Sequence, residues 1–341
     1  MAIACFLAAY IIPALVLAGA LLGGAWAWAG FVFAVFGQTL IEYVFNRLVG
    51  ATAPVFRQEP LLGNVILFGY VPVQTAIMLA ALSALGNSAW PRIDQLGLAL
   101  SVGTMTGAIG ITAAHELVHR RTGLEKDLGL WLLLQVSYLV FEIEHIRGHH
   151  KNVATPRDTS TAKKGESIYA FVPRAIRGTY RVSSELEKKE GRTGWRSRVT
   201  QYIAIHIATA VLVMAVFGWW ALLWFWVQVV VAIFYLEAVN YIEHYGLERP
   251  LLTGGRYADV DENHSWDTYA AMTNAFLFKL GFHSDHHIAA ARPYPLLRQH
   301  DPAEVLPAGY SGMILLSLVP PLWRTVMDWR VDRRMLRMRT A

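Results

Sequence analysis

The chain has 341 residues, 55% of them apolar, and a mean hydropathy of +0.35; several apolar runs reach the roughly 20 residues a helix needs to cross a bilayer. This argues against a pair of soluble domains and for one all-α membrane domain over residues 1–341. A net charge of +5 carries no nucleic-acid motif with it, and a single cysteine, Cys5, excludes internal disulfides and any cysteine-only metal cluster.

In chain order, Ile3 to Gly23 reads as a retained first span, because a signal peptide would carry a positive leading segment. Gly23-Gly24 turns the chain, Ala25 to about Phe45 returns as the second span, and Arg47 to Pro60 forms a polar connection. Leu61 to Leu85 is the third span and Gln95 to Ala114 the fourth, so residues 1–114 hold four spans. The small residues Ser101, Gly103, Thr104, Thr106, Gly107, Gly110 and Thr112 let neighbouring helices approach the fourth span closely. Residues 115–201 form a histidine-rich polar segment, within which Leu128 to Phe141 is too short to span and reads as an interfacial or re-entrant helix. Tyr202 to Phe217 and Trp219 to about Tyr241 form a hairpin of fifth and sixth spans within residues 202–241, turning at Gly218. Residues 242–341 form a mostly polar cap.

Six spans place residues 46–60, 115–200 and 249–341 on one side. Residues 115–200 alone hold sixteen Lys/Arg against ten Asp/Glu, whereas residues 1–114 hold three of each. A basic excess beside spans marks the cytoplasmic face, so both termini and the cap are expected there.

On that side stand nine of the chain's twelve histidines, in four groups: His115 and His119; His145, His149 and His150; His244; and His283, His286 and His287. Helical residues three or four apart share a face, so His115 with His119, or His145 with His149, can reach one ion. Neutral imidazole binds iron, zinc, copper and nickel alike. One such pair arises readily by chance; four groups on one side do not. Nine imidazoles exceed one ion's capacity and suit two, and the spacing does not divide them. Glu116, Glu144, Glu243 and Asp285 each adjoin a clustered histidine and are expected to orient the imidazoles from outside; His264 is expected in the same outer layer. The Glu-x-x-His spacing of Glu116 and of Glu142 also matches carboxylate-bridged di-iron bundles, but that scheme leaves five histidines unused. His206 reads as a satisfied polar residue within the fifth span and His300 as an exposed loop residue.

Two other classes compete. His115-Glu116-x-x-His119 is a zinc-protease pattern, which would leave the other seven clustered histidines idle. A metal transporter would hold its ligands near the bilayer midplane, whereas these lie at one boundary.

Finer motifs resemble a family. Asn240-Tyr241-Ile242-Glu243-His244-Tyr245-Gly246-Leu247, Gly148-His149-His150 with Val153-Ala154-Thr155-Pro156, Gly165-Glu166-Ser167-Ile168-Tyr169, Asn263-His264-Ser265-Trp266, His283-Ser284-Asp285-His286-His287 and Leu306-Pro307-Ala308-Gly309-Tyr310 are similar to the integral-membrane di-iron alkane 1-monooxygenases, within the membrane desaturase and hydroxylase group. The resemblance implies two irons held by His115, His119, His145, His149, His150, His244, His283, His286 and His287, and insertion of one atom of dioxygen into a terminal C–H bond. It also implies electrons from a separate rubredoxin fed by an NAD(P)H-dependent reductase, consistent with a lone cysteine, and residence in a bacterial inner membrane with the metal site on the cytoplasmic side. The chain departs from the family pattern at Val118 and at Gly281-Phe282, and Asp158-Thr159-Ser160-Thr161 leans towards the related aromatic side-chain monooxygenases, so aromatic, terpenoid or fatty-acyl hydroxylation are the alternatives. An alkane has no polar handle and must be oriented by an apolar channel; Trp26, Trp28, Phe31, Phe33 and Phe36 of the second span are the expected lining. Arg147, Lys151, Arg157, Lys163, Lys164, Arg174 and Arg177 are expected to steer an acidic electron donor.

Overall fold

A computed structural model describes residues 1–49, 56–87, 89–300 and 305–340. Among the described residues, five helices are long and apolar enough to cross a membrane: Ile3–Leu22, Gly24–Phe45, Pro60–Gly86, Arg92–Val118 and Arg198–His244. The last is broken at Gly218, whose φ of 85° and ψ of 176° leave the helical region. Only glycine takes that conformation without strain, and the two halves fold back as an antiparallel hairpin, with Met214 and Leu222 sharing one groove. The chain is therefore an all-α membrane protein with six crossings, as the hydropathy predicts.

One end of the bundle is tied by polar contacts between spans. Asp94 accepts from the Gly24 N–H at 3.0 Å, Trp224 donates to Gln95 at 2.9 Å, and the Arg92 guanidinium lies 3.6 Å over the Trp220 ring. The fourth span is central and mostly buried. A Cβ on Gly107 would lie 2.6 Å from the Ala232 Cα, and one on Gly103 2.6 Å from the Val231 Cβ, so the small residues of this span do permit close approach of the sixth.

The opposite end carries the cap. Phe56 stacks on Phe6 at 5.3 Å, Tyr294 donates to the Gly63 carbonyl at 3.1 Å, and Thr273 donates to Glu42 at 2.9 Å. The chain start, the connection before the third span and the C-terminal region thus share one face; part of that polar connection, residues 50–55, lies outside the described residues. The expected short helix at 128–141 begins earlier and ends sooner, at Gly123–Gln135. Thr122 caps it by accepting from the Glu125 N–H, a start signal that hydropathy alone does not register. His206 accepts from the Leu139 N–H at 3.3 Å and is satisfied, as expected. His300 is not a free loop residue: its Nε2 lies 2.7 Å from Asp285.

Glu187, on the amphipathic helix Ile168–Lys189, anchors the cap to the spans. Its buried carboxylate meets Arg147 at 2.6 Å, Arg192 at 2.7 Å and Arg198 at 3.4 Å. Three guanidiniums hold its carboxyl well below the usual carboxylate range. Removing one charge of such a buried group leaves the others uncompensated, at a cost of about 3 kcal/mol. Glu187→Gln is therefore expected to lower the thermal unfolding midpoint by several degrees; an unchanged midpoint would show the cluster to be stabilised by solvent instead.

Candidate metal centre

Four short stretches deliver the histidines. His115 and His119 leave the cap end of the fourth span, and His244 ends the sixth. His145, His149 and His150 ride on consecutive helical turns over residues 141–152, of which His145–His149 is a π turn. His283, His286 and His287 occupy the six-residue helix His283–Ile288, whose first turn is held by Asp267. That carboxylate accepts from the Ser284 N–H at 2.8 Å and the Ser284 hydroxyl at 2.6 Å, supplying partners that a helix start lacks on its own.

The nine imidazoles converge as two sets. His115, His119, His145, His150 and His286 present ring nitrogens within 4.8 Å of one another, and His149, His244, His283 and His287 do the same. The spacing left the division of ligands open, and the fold does not use the pairing of His145 with His149 that an α-helix would allow. A π turn winds i to i+5 rather than i to i+4, so His150 lands beside His145, with their Nε2 atoms 3.1 Å apart, and His149 turns to the second set. Likewise His286 joins the first set, 3.1 Å from His150, whereas His287 joins the second, 3.0 Å from His283.

These spacings suit metal ligation. Two nitrogens each about 2.1 Å from one ion and at right angles stand about 3.0 Å apart. The Nε2–Nε2 separations within the sets are 3.0 Å for His119–His145 and 3.1 Å for His244–His283. The Nε2 atoms of His115 and His149 are buried without a hydrogen-bond partner, an arrangement that burial penalises unless a lone pair is used. Burial holds His145, His150, His283, His286 and His287 well below the ordinary imidazole range. These five imidazoles therefore remain neutral, each with a nitrogen donor available at pH 7. The donor set suits a first-row metal without choosing among them.

Outer partners match those expected only in part. His149 Nδ1 lies 3.0 Å from Asp158 Oδ2, and Asp158 is itself held by the Thr161 hydroxyl at 2.6 Å and the Ser160 N–H at 3.1 Å. Desolvation lowers the His149 pKa, but the Asp158 carboxylate more than offsets it, for a net rise. Asp158 returns beneath His149 because the chain reverses at Ala154, whose φ is 55° and whose N–H donates to Thr161 at 2.9 Å. The only trace of this in the sequence is an acid within a Thr/Ser run nine residues on.

His283 Nδ1 lies 3.2 Å from Glu243, which accepts from the Tyr310 hydroxyl at 2.5 Å; that tyrosine was not among the expected residues. His264 reaches the centre through its carbonyl, 3.3 Å from His244 Nδ1, while its own ring pairs with Asp261 at 2.9 Å. The other three acids bind elsewhere. Glu116 meets Arg120 at 2.7 Å and the Tyr294 N–H at 3.1 Å, Glu144 accepts from Thr159 at 3.3 Å, and Asp285 holds Arg292, His300 and the Arg298 N–H. Each acid sits beside a ligand in sequence, but a neighbouring residue on a helix points to another face.

A narrow cleft reaches both sets from the membrane side. Gly107, Ala108, Ile111 and Thr112 of the fourth span face Leu236, Val239 and Asn240 of the sixth, with Phe141 and Leu280, and the cleft ends on His115, His145 and His283. The five aromatic residues expected to line a channel do not touch it. Trp26 and Phe36 are exposed on the outer face of the second span, Trp28 packs on Phe31 and against Gly97, and Phe33 meets Phe276. The lining comes instead from the span whose small residues leave room for it.

A family model for the fatty acid desaturases matches residues 95–316, a range that contains all nine histidines. The chain is 45% identical over 248 residues to alkane 1-monooxygenase 2 of Pseudomonas aeruginosa, covering 71% of this chain and 66% of that protein. With alkane 1-monooxygenase 1 of the same organism it shares 39% identity over 318 residues, 90% of this chain and 83% of the relative. The chain belongs to the alkane 1-monooxygenase family. Within that desaturase-related group it also aligns, at 25% identity over 92% of its length and 85% of the relative, with the xylene/toluene monooxygenase hydroxylase component XylM of Pseudomonas putida.

For this family member the buried imidazoles predict a pH dependence. His119 is pushed down to about 3 by burial, whereas an unfolded imidazole titrates near 6.5. Between those values the unfolded chain binds protons that the folded one does not, so stability falls as pH falls. The metal-free protein in nanodiscs is expected to melt several degrees lower at pH 5 than at pH 7.5. Equal midpoints would mean that the ligand rings protonate within the fold.

Proposed function

We propose that this chain is a rubredoxin-dependent di-iron monooxygenase that hydroxylates the terminal carbon of alkanes. The observation that carries the reading is the division of nine imidazoles into two adjoining sets at the inner end of an apolar cleft. In this reading each set holds one iron. The irons, when bound, supply the reduction of dioxygen by two electrons and two protons that places one oxygen atom in the C–H bond and releases the other as water.

The chain's own residues do the rest. Ile111, Leu236, Val239 and Leu280 orient a substrate that has no hydrogen-bonding group and keep water from the reacting methyl. Asp158 and Glu243 fix the ring orientation of His149 and His283 through their outer nitrogens. A lipid-dissolved alkane approaches from the bilayer, since the cleft lies between two spans.

The reading favours alkanes over alkylbenzenes because the cleft is thin. Its cavity volume is only about 30 Å³, so a substrate must part the side chains that line it. A methylene chain suits such a slot better than a ring. An intramembrane zinc protease would use one histidine pair of the nine, and the convergence of all nine speaks against it.

Electron delivery is assigned to the cytoplasmic face. A recess of about 580 Å³ lies over Asp158 and is lined by Arg157, Lys163, Lys164, Arg174, Arg177 and Arg181 against Asp158 and Glu248. Lys164 pairs with Asp332 and Arg174 with Glu166, and Arg147, also expected to steer, is committed to Glu187. That leaves Arg157, Lys163 and Arg177 of the recess as the steering charges that the reading selects. Their joint replacement by glutamate is expected to raise KM for rubredoxin roughly tenfold at low salt, with the difference shrinking at high salt. A salt-independent KM in both proteins would remove this face from the route.

The reading as a whole is tested by metal analysis of the purified protein together with product identification from medium-chain alkanes, alkylbenzenes and fatty acids, supplied with rubredoxin and its reductase. Two irons per chain and 1-alkanols are expected. One zinc per chain, or benzylic alcohols in preference to alkanols, would overturn it.

A further inference from the structure

The lining of the cleft at the histidines reaches no further along the fourth span than Gly107, and what lies beyond is polar. At Gly107 the fourth span touches the sixth backbone to backbone, with no room for a Cβ against Ala232. Just beyond that contact the Thr106 hydroxyl donates to Gln228 at 2.9 Å, and Gln228 donates to the Gln135 carbonyl at 2.9 Å. Gln74 continues the layer, donating to the Gln135 side chain at 3.2 Å. Thr106, Gln74 and Gln228 are fully buried and Gln135 nearly so. An alkane end cannot enter this layer without breaking buried amide hydrogen bonds for which it offers no replacement.

We infer that this amide layer is an end-stop that limits the length of substrate accepted, an inference that rests on the alkane reading above. From His115 to Gly107 the fourth span covers eight residues, at most about 12 Å at the α-helical rise of 1.5 Å per residue, because Met105–Gly110 is wound as a π-helix. An extended carbon chain with bonds and angles like those of the backbone advances about 1.25 Å per carbon. A chain whose terminal methyl stands at the histidines therefore meets the stop after about ten carbons. The substrates are unbranched alkanes of about decane length or shorter, and Ala108, at the last turn before the stop, sets the remaining depth.

The test uses the iron-loaded full chain in nanodiscs with alkanes from hexane to hexadecane, read two ways: 1-alkanol turnover with rubredoxin, and the shift in thermal midpoint on adding each alkane. Wild-type turnover is expected to fall at least about tenfold between decane and tetradecane, with the thermal shift following the same order. Ala108→Leu is expected to move both optima about two to three carbons shorter, and the milder Ala108→Val about one. Tetradecane and hexadecane turned over as well as decane would overturn the end-stop. So would an Ala108→Leu protein that keeps the wild-type length profile. A protein that hydroxylates no alkane but is stabilised by octane and decane and not by tetradecane would support the end-stop while overturning the alkane-hydroxylase reading.

Discussion

If each histidine set holds one iron, as proposed, His150→Ala is expected to lower bound iron from about two to about one per chain and to abolish measurable alkane hydroxylation. His150 stands in the middle of the five-histidine set, its Nε2 3.1 Å from both His145 and His286, so its removal opens that set on two sides. Loss of an outer partner of a ligand already costs 10–100-fold in affinity or activity, and loss of a direct ligand at the junction of the two sets should exceed that. The fold should survive, because the His150 backbone belongs to a turn held by Glu187 through Arg147 and its ring contributes little apolar burial. Iron content by elemental analysis, with the thermal midpoint as control, decides the matter. Full iron content with full turnover would remove His150 from the ligands. Substitution of His149 is expected to be equally damaging to turnover, but with the iron lost from the four-histidine set, a difference visible in the Mössbauer spectrum.

The second large effect is expected at Asp158, which hydropathy and histidine spacing both pass over. Asp158→Asn keeps the shape but removes the charge that faces His149 Nδ1 at 3.0 Å. Turnover should fall about 10–100-fold, with weakened metal retention confined to one of the two sites. The carboxylate favours the tautomer that donates from Nδ1 and leaves Nε2 free, and the amide can present its NH2 group instead, which would flip that preference. The diagnostic is therefore spectroscopic as well as kinetic: one iron signal should shift while the other stays. If both signals and turnover match the wild type, Asp158 serves the loop around Ala154 and not the ligand.

These two residues also show how far the primary structure can be read. His150 belongs to a pattern with a physical signature, because repeated imidazoles beside apolar spans have few other uses. The six crossings were legible for a similar reason: bilayer thickness imposes a length that any apolar run of that size reports. Gly218 was legible as a turn because an apolar stretch of that length must reverse, and glycine tolerates the backbone angle required. Asp158 was not legible, because its role depends on a reversal at Ala154, a non-glycine residue with positive φ that local propensity does not anticipate. The aromatic residues of the second span misled for the opposite reason. Bulk and apolarity are what a channel wall needs, but they are also what a lipid-facing helix needs, and composition does not separate the two.

Residue type alone pointed to the class of chemistry: nine imidazoles beside apolar spans, with a single cysteine, favour a nitrogen-rich metal site at a membrane boundary. Which imidazole serves which ion, and where the substrate lies, were decided only by tertiary structure. Ligation depends on distances of a few ångströms through space. A single π turn at His145–His149 changes those distances enough to exchange His149 for His150. The cleft depends equally on a contact between Gly107 and Ala232, 125 positions apart in the chain, which no local pattern of either segment encodes.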